Sequence, residues 1–276
     1  MLSYQHGYHA GTFADVVKHL ALTRVLAYLK QKDKPLFYLE THSGKGLYDL
    51  RDTQAVKTGE SKQGIQLLWP QRNTLPPVFN DYLQSIISLN QSGELRHYPG
   101  SPWLAMHSLR NQDRMYFCEL HPKEYQLLNQ LPHLNKKVHI SHSDGIASLK
   151  SLLPPPEKRG LIFIDPAYEI KEEYKKIPQA IKQSYQHFSQ GVYGLWYPVV
   201  DKKFTEQLLR GMQDIGAKNT LHIQFNLTLA RQDGMTGCGL CFINPPYTLA
   251  EEMKEALECL KRYFNPGVSS YRIETF

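Results

Sequence analysis

The chain has 276 residues, of which 41% are hydrophobic, so it can form one large α/β domain or one domain that carries an insertion. No apolar run approaches the roughly 18 residues of a membrane-spanning helix, and the first residues lack the order of a secretory signal. We therefore expect a cytoplasmic protein. The net charge of +6 favours polyanionic partners without selecting among them.

The first part of the chain predicts a loop, a helix and a strand. Residues 1–13 are rich in His, Tyr and Gly and predict an ordered loop, and apolar residues at helical spacing predict a helix over residues 14–30. Residues 36–43 predict a strand that runs into Gly44 and Gly46. Closely spaced glycines allow a backbone to approach a nucleotide-like ligand, although the full dinucleotide fingerprint is absent.

The next segment interrupts the alternation of strands and helices. Residues 50–100 carry helical patterns separated by prolines, and they show no strand pattern. We therefore predict a small helical insertion over residues 50–100 and a core formed by residues 1–49 and 101–276. Ser101 and Pro102 predict the start of a new helix, with Ser101 as its N-cap.

The alternation resumes after the insertion. Six further strands are predicted over residues 114–120, 137–145, 161–164, 191–199, 220–229 and 237–243. Helical patterns are found at residues 123–131, 146–153, 203–215 and 249–263. Seven strands that alternate with helices predict an α/β fold with a mainly parallel sheet, right-handed crossovers and helices on both faces.

The cysteines are candidates for metal or redox chemistry. Cys238 and Cys241 form a C-x-x-C that would be redox-active or half of a zinc site. Because no second pair accompanies them and their surroundings are strand-like, we interpret them as small buried residues. We expect Cys118 and Cys259 to be buried thiols as well.

Four predicted strands end in residues that can bind a ligand, and in an open α/β sheet these ends line one crevice. The residues are His42 with Gly44, Glu119, Asp144 and Asp165. Glu119 would accept hydrogen bonds from ribose hydroxyls and Asp144 from an adenine amine, while Asp165 would meet the reactive end of a nucleoside-containing cofactor. Each acid could instead cap the next helix, but four such ends in α/β units favour a pocket.

Asp165, Pro166 and Tyr168 follow a buried apolar run. Pro166 cannot donate a ladder hydrogen bond, so the strand must end there. An acceptor, a rigid kink and a flat ring suit a planar ligand that carries an amine, with Asp165 on the amine and Tyr168 on the ring face. The same residues could also serve only as a strand-to-turn device.

The sequence Asp165-Pro166-Ala167-Tyr168 resembles the Asp-Pro-Pro-Tyr motif of S-adenosylmethionine-dependent amino-methyltransferases, with Ala167 in place of the second proline. The resemblance to one such family, RlmJ, extends over nearly the whole chain. It is carried by residues 1–6, 9–11, 14–16, 18–19, 41–46, 98–102, 119–122, 195–199 and 243–246. RlmJ proteins are bacterial enzymes that methylate N6 of one adenine in 23S ribosomal RNA.

The resemblance implies a Rossmann-like methyltransferase fold with a seven-stranded, mainly parallel sheet and a small helical insertion. It also implies S-adenosylmethionine as cofactor and Asp165 as the catalytic residue. Cofactor contacts are implied for His19, His42, Ser101, Glu119, Asp144, Gly145 and Asp165. Tyr4, His6 and Lys18 would lie near the substrate or gate the pocket, and Tyr168 would stack on the target base.

The implied partner is 23S ribosomal RNA, free or early in ribosome assembly, bound by a monomer. No metal is expected, because the spacing of His6, His9, Asp15 and His19 matches no compact zinc pattern. An adenine-N6 methyltransferase that acts on DNA is an alternative, although no separate recognition domain is visible. A nicotinamide-dependent dehydrogenase would need a fuller glycine fingerprint. A non-catalytic RNA-binding protein would explain the charge but not the acids at the strand ends.

Overall fold

The structure is a computed structural model that describes residues 5–132, 137–227 and 234–276. Its strands are β1 (Phe37–Glu40), β2 (Leu47–Asp49), β3 (His97–Pro99), β4 (Arg114–Glu119), β5 (Val138–His142), β6 (Gly160–Ile164), β7 (Val192–Val199), β8 (Thr220–Asn226), β9 (Gly237–Ile243) and β10 (Ser270–Thr275). Its α-helices are α1 (Phe13–Lys30), α2 (Thr53–Thr58), α3 (Ile65–Leu68), α4 (Asn80–Leu89), α5 (Ser101–Ser108), α6 (Pro122–Asn129), α7 (Gly145–Leu152), α8 (Glu173–His187), α9 (Lys202–Gln213) and α10 (Leu249–Leu260).

Eight strands form one mixed sheet in the order β10-β8-β9-β7-β6-β1-β4-β5. The five strands from β7 to β5 are parallel, while β9, β8 and β10 extend the other edge with antiparallel pairings. The chain turns from β1 to β4 and β5 on one side, and then returns to β6 and β7 on the other side. This reversal of strand order beside β1 creates a crevice at the carboxyl ends of the parallel strands.

The α/β class and the seven predicted strands are confirmed, but the predicted strand count is one too low. The missed strand, β10, pairs with β8 at the edge of the sheet. It offers only two apolar side chains, Tyr271 and Ile273, to a partly covered surface. Its hydrophobic signal is weak because an edge strand packs little of its surface.

The segment between β1 and β4 contains α2, α3 and α4, and its ends are joined by a short antiparallel ladder. The absence of strands predicted for residues 50–100 is wrong at its last residues, because β3 pairs with β2 from Leu47 opposite Pro99 to Asp49 opposite His97. Three residue pairs are too few to produce a visible alternation in sequence. The division into a core and an insertion at residues 50 and 100 stays a prediction.

Hydrophobic side chains cover both faces of the sheet, and α1 lies within one of these two layers. Nearly all of α1 is buried, including its polar residues Asp15, Lys18 and His19. Charged groups in such a position need partners close by, because burial of an unpaired charge costs on the order of several kcal/mol. Helix α1 therefore supplies buried polar and charged side chains, as well as hydrophobic packing, near the carboxyl ends of the parallel strands.

The four cysteines are buried free thiols, as predicted. Cys238 and Cys241 are three residues apart on β9, so their side chains point to opposite faces of the sheet. Cys238 packs in the layer that contains α1, and Cys241 packs in the other layer. They therefore form neither a disulfide nor half of one metal site. Within the described ranges, no helix is both long and apolar enough to cross a membrane.

Candidate active site

A cavity lies at the carboxyl ends of β1, β4, β5 and β6. The structure brings most of the predicted site residues together in its lining. They are His6, Lys18, His19, His42, Ser101, Glu119, Asp144, Gly145 and Asp165. Tyr4 lies outside the described residues. The convergence follows from the topology, because the carboxyl ends of parallel strands meet at one edge of the sheet.

Tyr168 is the predicted site residue that the structure places elsewhere, since it is absent from the cavity lining. Its ring packs against Tyr174 at a centroid distance of 4.5 Å, and its hydroxyl donates to the Trp196 carbonyl oxygen over 2.9 Å. With a φ of +53°, its backbone turns the side chain into the core below the loop. The stacking predicted for Tyr168 is therefore not available in this arrangement.

Lys18 lies at the centre of a buried ion network beneath Asp165. Its Nζ is 2.7 Å from Asp165 Oδ2 and 2.8 Å from Asp15 Oδ1. Asp15 Oδ2 in turn lies 2.9 Å from His6 Nε2 and accepts the Gly11 backbone N–H over 2.9 Å. The network thus connects the loop before α1 to the end of β6.

The ionisation states of this network are fixed by its neighbours. Burial acts to lower the pKa of Lys18, but Asp15 and Asp165 outweigh burial and raise that pKa well above its usual value. Burial likewise acts to raise the pKa of Asp15, while His6 and Lys18 hold it well below its usual range. Lys18 therefore stays protonated and Asp15 stays ionised at neutral pH.

Glu119 at the end of β4 holds the glycine turn. Its Oε2 accepts the Gly44 N–H and its Oε1 accepts the His121 N–H, both over 2.7 Å. Gly44 has a φ of +61°, which residues with a Cβ rarely adopt. Each carboxylate oxygen can accept a second hydrogen bond, so the predicted contact with ribose hydroxyls is compatible with this role.

Asp144 caps α7, as the alternative interpretation of the strand-end acids expected. Its Oδ1 accepts the N–H groups of Ile146 and Ala147 over 2.9 and 3.1 Å. Its Oδ2 accepts no hydrogen bond from the described residues, so one oxygen is left for a ligand. Gly145 packs so closely that a Cβ there would lie 2.1 Å from the Thr41 carbonyl oxygen.

Ser101 differs from its predicted role, and the difference reveals a residue that the sequence analysis missed. Gly100 is the N-cap of α5, and the Ser101 hydroxyl donates to Glu40 instead. Glu40 is fully buried at the end of β1 and also accepts from the Tyr38 hydroxyl over 2.8 Å. Burial raises the pKa of Glu40 to about 8, although the hydrogen bonds from Ser101 and Tyr38 oppose this shift. The sequence feature that could have identified Glu40 is its position as a glutamate at the end of an apolar run.

His19 and His42 are both neutral because they are buried. Burial holds the pKa of His19 well below its usual value and lowers the pKa of His42 to about 4. His42 Nδ1 lies 2.8 Å from the Thr41 hydroxyl. His19 Nδ1 lies 2.9 Å from the Tyr98 hydroxyl, whereas its Nε2 is buried and has no hydrogen-bond partner among the residues that the structure describes.

Among the described residues, no group of three or more His, Cys, Asp or Glu side chains is placed to hold a metal ion. The histidines near the start of the chain have other partners. His6 pairs with Asp15, and His9 Nδ1 lies 3.0 Å from Glu60 Oε1.

An α/β sheet that reverses its strand order beside a cavity at the carboxyl ends of its parallel strands defines a Rossmann-like protein, a class that binds nucleotide-containing ligands at this position. The family model described as "Ribosomal RNA large subunit methyltransferase D, RlmJ" matches residues 33–275. The chain belongs to this family. Membership confirms the predicted family, the enzyme class and the cofactor, S-adenosylmethionine.

Relatives of this chain match it over nearly its whole length. Ribosomal RNA large subunit methyltransferase J of Haemophilus influenzae is 43% identical over 277 residues, which cover 99% of this chain and 98% of the relative. The protein of the same name from Escherichia coli is 40% identical over 268 residues, covering 97% and 95%. A crystal structure of protein LPL1258 from Legionella pneumophila is 58% identical and superposes with a TM-score of 0.93, covering 97% and 98%.

The cavity suits S-adenosylmethionine because two of its lining residues have buried polar atoms without partners in the described part of the chain. His19 Nε2 and Ser43 Oγ both line the cavity and make no hydrogen bond to the described residues. Leu120 and Ile146 add apolar surface near Asp144, where a purine would be covered. A ligand with a purine, a ribose and a charged amino acid end would satisfy these groups together.

Proposed function

We propose that this chain transfers a methyl group from S-adenosylmethionine to N6 of one adenine in 23S ribosomal RNA, and that Asp165 is the catalytic residue. The observation that supports this proposal is the way in which Lys18 holds Asp165. Lys18 contacts Oδ2 only, while Oδ1 accepts no hydrogen bond from the described residues. One oxygen of an oriented carboxyl group is thus left without a hydrogen bond from the described residues at the end of β6.

The target adenine would have to leave its stack for its N6 amine to enter the cavity. Asp165 Oδ1 and the Pro166 carbonyl oxygen would then accept the two amine N–H groups, which turns the nitrogen lone pair toward the cofactor. Pro166 follows a strand that is buried along its whole length, so these two acceptors are held rigidly. Correct placement of the amine would supply most of the rate enhancement.

S-adenosylmethionine supplies an electrophilic methyl group on its sulfonium. Transfer of this methyl group to N6, with the thioether as leaving group, would leave the nitrogen with a positive charge and a proton to lose. Asp165 Oδ1 is placed to accept this proton. Because Lys18 holds the other oxygen, Oδ2, Asp165 would serve first to orient the amine and would receive the proton during or after methyl transfer.

We propose that the cofactor contacts divide into two groups, one for its amino acid end and one for its adenosine end, on the two sides of Asp165. His19 and Ser101 would contact the amino acid end of the cofactor, and Glu119 would contact its ribose. Asp144 Oδ2 would accept from the adenine amine beside the start of α7. His42, next to the glycine turn, and Gly145, at the start of α7, would line the path between these ends.

The substrate RNA would approach across the start of α8, beside Asp165. Lys175 and Lys176 are exposed there, and Lys176 lines the cavity. Lys176 would contact an RNA phosphate there, although Glu169, Glu172 and Glu173 line the same part of the cavity and reduce the net attraction. We further propose that a cytoplasmic monomer binds 23S ribosomal RNA that is free or early in assembly.

The test is methylation of 23S ribosomal RNA that lacks the modification, with Asp165→Asn and Asp201→Asn compared. Asp165→Asn should lower turnover by about 10²- to 10⁴-fold while cofactor binding persists, because proton acceptance and amine orientation are lost. Asp201 caps α9 outside the cavity, and asparagine caps equally well, so that variant should retain wild-type turnover.

Near-wild-type turnover of Asp165→Asn would refute the catalytic role. Efficient methylation of a DNA duplex, with none of RNA, would refute the proposed substrate. The modified nucleoside should be N6-methyladenosine, and methylation at another atom would overturn the proposed chemistry.

A further inference from the structure

The second nitrogen of His19 leads into a chain of buried hydroxyl groups. Nδ1 lies 2.9 Å from the Tyr98 hydroxyl, which lies 3.1 Å from the Tyr82 hydroxyl. Both tyrosines are fully buried, and neither belongs to the strand ends that form the cavity. Tyr98 lies on β3 and Tyr82 on α4, so the chain of contacts runs from the segment between β1 and β4 to a cavity-lining residue.

The direction of these hydrogen bonds follows from the number of donors and acceptors. His19 is neutral, so one ring nitrogen carries a proton and the other accepts. Burial holds the pKa values of Tyr82 and Tyr98 above their usual value, so both hydroxyls keep their protons.

If His19 Nδ1 carried the proton, Tyr98 would accept it and would donate to Tyr82. The Tyr82 proton would then have no acceptor among the described residues, although Tyr82 is fully buried. In the opposite direction, Tyr82 donates to Tyr98 and Tyr98 donates to Nδ1, so both hydroxyl protons have acceptors. His19 then carries its proton on Nε2, and this proton alone has no acceptor among the described residues, whereas the other arrangement leaves both the Tyr82 proton and the Nε2 lone pair without a partner.

We propose that Tyr82 and Tyr98 are positioning residues that fix the Nε2-protonated tautomer of His19, which donates to the carboxylate of the bound cofactor. This inference rests on the proposed function for its cofactor site. The carboxylate is the acceptor that fits, because His19 lies close to the Lys18 cation, which contacts Asp165, whereas Glu119 and Asp144 would face the adenosine end. The segment between β1 and β4 thereby prepares a donor before the cofactor binds.

The first test compares S-adenosylhomocysteine with its decarboxylated analogue by calorimetry. Tyr98→Phe should weaken binding of S-adenosylhomocysteine about tenfold and should change binding of the analogue less than about twofold, because only the former has the carboxylate. Tyr82→Phe should have a smaller effect in the same direction. Tyr193→Phe is the matched control, since Tyr193 is a buried tyrosine whose hydroxyl donates to the Phe188 carbonyl oxygen, away from the cavity.

An equal loss for the two ligands in Tyr98→Phe, or no loss for either, would overturn the positioning role. Failure of the wild-type protein to bind S-adenosylhomocysteine would instead refute the proposed function. The two failures are therefore distinguishable.

The second test needs no ligand. Nitrogen-15 spectra of the histidine rings in the wild-type protein should show an unprotonated Nδ1 and a protonated Nε2 for His19, assigned by its disappearance in His19→Gln. Tyr98→Phe, where it folds, should give a mixture of tautomers. A protonated Nδ1 in the wild-type protein would contradict the proposal directly.

Discussion

Two similar four-residue sequences follow strands of this sheet, but they lie at opposite ends of the strands. Asp165-Pro166-Ala167-Tyr168 follows β6, whereas Asn244-Pro245-Pro246-Tyr247 follows β9. The second sequence has both prolines, so by letters alone it is the better match to an Asp/Asn-Pro-Pro-Tyr motif. Yet β9 is antiparallel to β7, and its last residue, Ile243, lies opposite Tyr193 near the start of β7. It therefore ends at the edge away from the cavity.

The surroundings of the two polar residues differ as much as their places. Asp165 faces Lys18 and keeps a free oxygen. Both N–H groups of the Asn244 amide are used, because its Nδ2 donates to the carbonyl oxygens of Ser189 and Gly191 over 2.8 and 2.9 Å. Tyr247 is 83% exposed, whereas Tyr168 is buried. We therefore propose that strand direction and a buried cation, rather than the motif itself, give Asp165 a catalytic role, whereas Asn244 only stabilises the local structure.

The largest expected effect comes from an attempt to exchange the two sites. Asn244→Asp combined with Asp165→Asn creates an Asp-Pro-Pro-Tyr sequence after β9 and removes the carboxylate after β6. We expect turnover, measured by methyl incorporation, to stay about 10²- to 10⁴-fold below wild type, because the cofactor cavity lies at the other edge of the sheet. Recovery of turnover in the double variant would show that the motif acts independently of strand direction.

Removal of the cation should have the next largest effect. Lys18→Met leaves Asp15 and Asp165 buried or nearly buried without their shared partner, and we expect the free energy of unfolding to fall by about 3–5 kcal/mol in urea titrations. Lys203→Met, at an exposed residue of α9, is the control and should change it by less than about 0.5 kcal/mol. An unchanged stability in Lys18→Met would mean that the network contributes little to the site.

Glu40, the buried acid at the end of β1, should make the free energy of unfolding depend on pH. Because the folded pKa of Glu40 is about 8 and the usual value is near 4.5, the folded state binds more protons over this window. Glu40 therefore contributes a stability that is lost as pH rises from about 4.5 to 8. Glu40→Gln should flatten the decrease between pH 5 and pH 8 by about 2–4 kcal/mol, measured by urea unfolding at both values. Parallel pH profiles for the two proteins would contradict the raised pKa.

A smaller change in stability is expected from substitution of Asn244, which follows the antiparallel strand β9. Asn244→Ala removes two donated hydrogen bonds and should lower the free energy of unfolding by about 1–3 kcal/mol, while the turnover at saturating substrate stays at the wild-type value. Thermal unfolding and methyl incorporation on the same sample would measure both. A loss of turnover without a loss of stability would place Asn244 in the catalytic machinery.

The smallest effect should come from Tyr247. Its ring is mostly exposed and touches Tyr28 edge-on at a centroid distance of 5.6 Å. Tyr247→Ala should therefore change the free energy of unfolding by less than about 1 kcal/mol and leave turnover unaltered. Tyr168→Ala provides the contrast, because loss of a buried aromatic side chain should cost about 3–5 kcal/mol in the same unfolding assay. Equal effects of the two substitutions would contradict the difference in packing between Tyr168, which follows β6, and Tyr247, which follows β9.

Local periodicity was sufficient to predict where the site lies. Seven strands and the acids that follow them are visible in sequence because buried strands are apolar and parallel strands end at one edge. The ends at His42, Glu119, Asp144 and Asp165 therefore met as expected. β10 and the β2–β3 ladder were missed because short or half-exposed strands carry little hydrophobic signal.

The partners of the site residues could not be predicted in this way. Lys18 and Asp165 are 147 positions apart in the chain, and His19 and Tyr98 are 79 apart. No local pattern shows that such residues meet, since their contact depends on how α1 packs across the sheet. Glu40 was overlooked for a related reason, because its partner Ser101 is 61 positions away and was assigned to a helix cap.

The most direct test of the catalytic site is a map of the methylated nucleoside in 23S ribosomal RNA from a strain that lacks the modification, incubated with protein and labelled S-adenosylmethionine. We predict one N6-methyladenosine with the wild-type protein and with Asn244→Ala, and none with Asp165→Asn. Label at a different atom, or equal label with Asp165→Asn, would contradict the assignment of the chemistry to the carboxyl end of β6.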